Sequence, residues 1–528
     1  MASRKTRRLV VVLLVALGCC YLVALLVSHY ILPPYLIGYI RERSTEIVRE
    51  RFQADVQFGS FDVTLLFPRL VIEGENVALT KRNRAGFPAL IFVRKFSVNA
   101  DLLRFLETPA HVQHIRLQGM SIHVPPRGDE PEQPKTTKAA RQHYPVIIDH
   151  LECANCELNI LPKRTGKQPL QFVIHQLNMQ AAGLGRSAPY QAKLTNAVPK
   201  GEIQTSGRFG PWQPDEPSLT QLSGSYVFTH ADLDPFPGIS GTLDSKGRFE
   251  GILERIVADG ETSTPDFALD NTDHPVALNT QFHAIIDGTS GDTALEPVKA
   301  QFLNSTVVAR GGVFGTPGKK GKMILLDVTV NPGRMEDLLR LSVKGEPPLM
   351  TGNIRFHSRL EISPGAGRVA ERLKLNDRFV ATSVRPTSPD FQEKLKKLSS
   401  RAEGKPKDKN AGSDVFDLKG KLSLGNGVAH FPELLFTIPG ARLQLAGQYG
   451  LGSENLDFEG TLHLQAKLSQ TTTGWKSLVL KAVDPFFRGK DGGTILPVRI
   501  GGTRTKPSFK LARRKKSQKT EYRAHRLP

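Results

Sequence analysis

Tryptophan and cysteine are scarce, with two and four residues in a chain of 528. Four cysteines exclude a disulfide scaffold for a body of this length. Glycine and proline, by contrast, reach 47 and 36, a balance that favours many turns over a long helical bundle. The HExxH zinc signature and the GxSxG nucleophile elbow are both missing, and no carboxylate pair stands out. Gly315 to Met323 (GTPGKKGKM) has the wrong glycine spacing for a phosphate loop, and Met323 stands where Ser or Thr should bind magnesium. The expectation is a protein that is not an enzyme, with no cofactor and no metal.

Charge is uneven. The formal net charge is +20, but residues 1–8 hold +4 and residues 504–528 hold +9, leaving about +7 over the other 495 residues. The body is therefore not a nucleic-acid-binding surface by charge. Its 39% hydrophobic and 23% charged content argues against disorder over most of the chain.

One long apolar run exists, from Leu9 to Val27, continuing to Leu32. At 1.5 Å per residue it covers about 28 Å, close to one bilayer core. The run predicts a single membrane-spanning helix over 9–32, and Arg4, Lys5, Arg7 and Arg8 place its start on the cytoplasmic side. It exceeds the 7–15 residues of a signal-peptide core, and Ser28-His29-Tyr30 offers no cleavage site, so the helix is read as retained. Residues 35–53 then read as a helical stalk.

Beyond this point the dominant pattern has period two, the mark of strands with one apolar and one polar face. In 457–468, Phe458, Leu462, Leu464, Ala466 and Leu468 share a face with Gly460. Phe416, Leu418, Leu422 and Leu424 repeat this, and Leu443 and Leu445 add a third run. Partial alternation recurs at 61–72, 90–102, 112–124, 171–179, 202–209, 222–230, 281–287, 298–309 and 323–330. Close turn-forming residues predict a mainly β protein, an elongated, twisted antiparallel sheet with a few short helices. Helical spacing marks 335–343, 391–402 and 475–483.

The chain divides into a basic segment (1–8), the spanning helix (9–32), an N-terminal β region with its stalk (33–126) and a charged, proline-bearing linker (127–142). A central β region (143–365), a helical insertion and linker (366–412), a C-terminal β region (413–512) and a basic tail (513–528) follow. Cys153 and Cys156 lack the two further ligands of a zinc site and the helix start of a redox site. They read as a solvent-facing or locally oxidised pair.

Five segments carry a resemblance: FGSFDVTLLFPRLVIEGENVAL and PALIFVRKFSVNADLLRFLETPAHVQHIRLQGMSIHVP near the start of the body, STPDFAL in its middle, and FDLKGKLSLGNGVAHFPELLFTIPGARLQLAGQYG with ILPVRIGGTRTKPSFK near its end. In this order, behind one N-terminal anchor, they resemble the AsmA-like family of envelope proteins of diderm bacteria, relatives of the bridge-like lipid transfer proteins. The resemblance implies a single-pass inner-membrane protein with a periplasmic body. It implies a trough-shaped sheet along which phospholipid acyl chains pass between membranes, and an outer-membrane or envelope protein as a further partner. The candidate groove residues are Phe416, Leu418, Leu422, Leu424, Leu443, Leu445, Phe458, Leu462, Leu464 and Leu468. Arg513, Arg514, Lys515, Lys516 and Lys519, which are not part of the family pattern, are either headgroup or partner contacts or a solvated tail. Two alternatives stay open: a spacing or assembly protein without lipid, and an apolar face that is ordinary core.

Overall fold

The computed structural model describes residues 35, 37–42, 45–46, 49, 54–81, 88–107, 109–124, 146–161, 169–183, 187–211, 219–269, 272, 274–316, 319, 321–342, 347–365, 368–408, 410–471, 493–503 and 506–511. The expected spanning helix, the linker at 127–142, the helix at 475–483 and the basic tail lie outside these residues. Among the described residues no helix is long and apolar enough to cross a membrane.

Among the described residues the architecture is mainly β, with 25 strands in one sheet and few short helices. The first strands are β1 (Ala54–Gln57), β2 (Ser60–Leu66), β3 (Arg69–Lys81) and β4 (Ile91–Asp101), followed by helix α1 (Leu102–Phe105) and β5 (Ala110–Val124). Next come β6 (Val146–Ile160), β7 (Leu170–Gly183), β8 (Ala188–Thr195), β9 (Glu202–Phe209), β10 (Gln221–Asp232), β11 (Ile239–Ser240) and β12 (Thr242–Ile252). The middle holds β13 (Arg255–Leu269), β14 (Val276–Ile286), β15 (Thr293–Phe302), β16 (Ser305–Gly315), β17 (Lys322–Arg334) and α2 (Met335–Ser342). Then follow β18 (Met350–Ile362), α3 (Val369–Arg372), β19 (Leu373–Pro386) and α4 (Pro389–Ala402). The last strands are β20 (Phe416–Gly425), β21 (Val428–Ile438), β22 (Ala441–Gly450), β23 (Asn455–Leu464), β24 (Thr494–Thr503) and β25 (Pro507–Leu511).

Four sequence expectations are corrected. The stretches 61–72 and 298–309 are hairpins rather than single strands, turning at Phe67-Pro68 and at Leu303-Asn304. Leu303 takes a left-handed φ of 49°, and its apolar side chain hid that turn from a hydrophobicity pattern. The supposed helical insertion contains β19, a 14-residue strand paired with both β18 and β20. β23 ends at Leu464, and Leu468 sits in a 3-10 turn over Leu468–Thr471. There the backbone N–H groups of Gln465 and Ala466 turn to the carbonyls of Gly440 and Ala402, which takes this stretch out of the ladder. Finally, β5 and β6 pair in parallel. A parallel pair needs a connection of a dozen or more residues, and the chain between Val124 and Val146 supplies 21.

The chain forms two compact units. The first comprises Met1–Pro235, Thr242–Ser263 and Phe282–Thr293, and the second Phe236–Gly241, Thr264–Gln281 and Ala294–Pro528. In the first, Val63, Leu65, Leu70, Ile72 and Leu102 make a buried cluster with Ile40. Asp101 caps α1 by accepting from the N–H groups of Leu103 and Arg104. Cys153 and Cys156 are joined in a disulfide and are buried, not solvent-facing.

In the second unit, α2 and α4 bring Met335 and Leu395 onto Ile354, Ala381, Val384, Phe416, Ile438 and Leu464. Asp337, in the first turn of α2 and 3% exposed, fixes that helix to the turn between β15 and β16. Its Oδ2 accepts from the Asn304 N–H at 2.9 Å and the Ser305 hydroxyl at 2.7 Å, and the Ser305 oxygen accepts from the Arg334 N–H. Charge-assisted bonds of this kind contribute about 1.5–3 kcal/mol each, and Asn keeps one acceptor oxygen for both donors but loses the charge that strengthens them. Asp337→Asn is therefore expected to cost about 2 kcal/mol, read as a lower urea midpoint, whereas exposed Asp390→Asn should leave the midpoint unchanged.

Candidate functional site

Residues directly opposite in a ladder send their side chains to the same face, so the register strings rows of side chains across the sheet. In the second unit one row runs Ile354, Ala381, Leu418, Phe436, Leu443, Leu462 and Leu496, from β18 to β24. Two residues along, Val330, Phe356, Phe379, Gly420, Leu434, Leu445, Gly460 and Val498 form the next. A third holds Val328, Ser358, Asp377 and Leu422, then Phe431, Gly447, Phe458 and Ile500. A bulge in β21 at Pro432 and Glu433 keeps Phe431 in phase. A fourth holds Leu326, Leu360, Leu375, Leu424, Ala429, Tyr449 and Leu456.

The opposite face is rich in charge, and some of its charges pair with one another. Lys421 meets Glu433 at 3.1 Å, Arg499 meets Asp457 at 3.3 Å, and Lys374 meets Glu361 at 2.9 Å. In the four apolar rows the one charged side chain is Asp377.

The structure thus puts Phe416, Leu418, Leu422, Leu424, Leu443, Leu445, Phe458, Leu462 and Leu464 on one face and leaves Leu468 off it. Those nine do not share one environment. Phe416 and Leu464 lie in the cluster under α2 and α4, with Leu418 and Leu462 packed at its margin. Phe416 stacks on Phe436 with ring centroids 4.5 Å apart. Leu422, Leu434, Val498 and Ile500, farther along, are half-buried. Arg513, Arg514, Lys515, Lys516 and Lys519 lie outside the described residues.

The first unit has a face of the same kind. Val63, Ile72, Val98, Ile115, Leu151, Met179 and Tyr190 form one row, and Phe96, Leu117, Cys153, Leu177 and Ala192 run beside it. Its few polar groups are satisfied: the Tyr190 hydroxyl pairs with Thr205 at 3.2 Å and the Tyr226 hydroxyl with Ser245 at 3.0 Å. Burial raises both tyrosine pKa values.

Sequence reading missed Ser358 and Asp377. The available signal was the alternation Leu373, Leu375, Asp377, Phe379, Ala381, in which an acid occupies an apolar position. Burial lifts the Asp377 carboxyl to about 6, against smaller opposing effects of the Arg378 N–H and His357. The ordinary value is 3.8, so the native state binds the proton first. The cost of burying the charge is present in full above pH 6 and vanishes as pH falls towards 4. Full burial would correspond to about 3 kcal/mol, and partial exposure reduces this to about 1 kcal/mol. Asp377→Asn is expected to raise the thermal midpoint at pH 7.5 and leave it unchanged at pH 4, as differential scanning fluorimetry would show.

Among the described residues no group of His, Cys, Asp and Glu is arranged to hold a metal. Compared with family models, curated proteins and solved structures, the chain matches none.

Proposed function

We propose that this chain binds phospholipid by laying acyl chains along the apolar rows of its sheet, as an AsmA-like, inner-membrane-anchored protein of the periplasm that conveys lipid between membranes. One observation carries the reading. Three of the four rows of the second unit continue apolar over seven or more strands and the other breaks only at Ser358 and Asp377, while α2 packs on β17 and β18 and α4 on β19 and β22 at one end of them. Large sheets bury an apolar face against helices or a second sheet, and here half-buried leucines extend past the helices. Each CH₂ moved from water onto such a face gains about 0.8 kcal/mol, so a sixteen-carbon chain gains about 10 kcal/mol before ordering costs. No polar site is needed for that. The run at 9–32 supplies the anchor, and the basic tail meets acidic headgroups or an envelope partner.

The reading predicts where lipid touches the protein. A photoreactive residue at 422, 434 or 500 should label with phospholipid during membrane extraction, and one at 421, 444 or 499 on the charged face should not. Equal labelling of both sets would sink the proposal. Position 416, beneath the helices, should label weakly.

A further inference from the structure

The third apolar row is interrupted once. Register places Ser358 of β18 directly opposite Asp377 of β19. Ser358 is 4% exposed, and its Oγ has no hydrogen-bond partner. The Oδ1 of Asp377 is likewise buried without one. On the same face, Phe356 and Leu360 flank the serine, Leu375 and Phe379 flank the aspartate, and Leu422 lies across from it on β20. None of these side chains offers a donor. His357, the imidazole nearest in effect to Asp377, belongs to the other face, where it pairs with Asp327 at 3.3 Å.

Two adjacent acceptors with empty valences, inside a face that otherwise suits alkyl chains, define a ligand. Leaving a buried polar group unpaired costs more than a typical neutral hydrogen bond nets, so an incoming head that satisfies both gains twice. A primary ammonium carries three N–H donors and a positive charge. It reaches the carboxylate and the hydroxyl together and cancels the poorly solvated charge. An alcohol brings one donor and no charge, and a fatty carboxylate is repelled.

We infer that Ser358 and Asp377 form a binding station for the ammonium head of an amphipath whose alkyl chain lies along the flanking leucines and phenylalanines. This rests on the lipid-binding reading above. The station gives the face selectivity for head chemistry, which apolar rows alone lack.

The test is native mass spectrometry of the full chain in mild detergent, titrated with hexadecylamine and with hexadecanol. The wild type should bind the amine at least tenfold tighter. Asp377→Asn should reduce that preference to under threefold without changing the affinity for the alcohol, and Ser358→Ala should reduce it partly, so one folded variant suffices. Asp457→Asn, on the charged face, should keep the full preference. Lysophosphatidylethanolamine against lysophosphatidylglycerol of equal chain length identifies the source. An ethanolamine preference lost in Asp377→Asn assigns the station to a lipid headgroup, and a preference confined to hexadecylamine assigns it to simple amines. If the wild type binds amine and alcohol equally, or the preference survives Asp377→Asn, the station is overturned and the lipid reading stands. If neither ligand binds, both fall.

Discussion

Phe416→Ala is expected to destabilise the second unit by about 4 kcal/mol, whereas Leu422→Ala, on the same strand and the same face, should cost about 1 kcal/mol. Phe416 is 5% exposed and packs with Val384, Leu395 and Phe436 beneath α4, so truncation leaves a cavity that a helix and a sheet cannot both close. Leu422 is half-buried and lies beyond the helix-covered cluster, and its loss opens a space that solvent or a ligand enters. Thermal midpoints of the two variants, taken with and without added lipid, separate these cases. The Leu422 variant should lose part of the lipid-induced rise in midpoint, and the Phe416 variant should keep it. Equal destabilisation by the two would mean that the whole face is dry core.

Gly460→Val should be as damaging by a different route. Gly460 stands in the second apolar row opposite Leu445. A Cβ added there would collide with the backbone carbonyl of Gln444 and approach the Leu445 Cα to 2.9 Å. Neither is the end of a flexible side chain, so β22 and β23 would have to separate. Overpacking against backbone costs about 3 kcal/mol or more. Gly501 provides the control, because a Cβ there meets nothing nearer than the Leu456 carbonyl at 3.8 Å. Gly501→Val should therefore be neutral or stabilise by up to about 1 kcal/mol through β propensity. A urea midpoint for Gly460→Val within error of the wild type would show that the strands are not held in close approach there.

Alternation made the strands legible where each residue faces a single environment. β9 spans Glu202–Phe209, the run read from sequence, and α2 and α4 match the helical spacing at 335–343 and 391–402. The nine candidate apolar residues fall on one face because period two translates directly into sides of a sheet. Three things were not legible. A hairpin whose turn carries leucine, as at Leu303, has no polar punctuation. The strand β19 was obscured by the charged stretch around it, although its own alternation is regular. Which leucines lie under a helix and which lie beyond it depends on where α2 and α4 dock, and no local pattern encodes that. Asp377 breaks the β19 alternation in the sequence itself, and the neighbouring strands show that its position belongs to an apolar row.

The parallel pair of β5 and β6 also bears on the order in which the first unit assembles. Hairpin neighbours such as β8 and β9 meet after closing a turn of a few residues, so the sheet grows by zipping one strand onto the last. At β5 and β6 the growing edge must wait for 21 residues to bring its ends together. Closing that loop costs about 2 kcal/mol more entropy than a two-residue turn. Zipping is therefore expected to run separately on the two sides of this joint, with docking across it slower than hairpin closure and slower still as the joining segment is lengthened, which stopped-flow refolding of variants with longer joining segments would read.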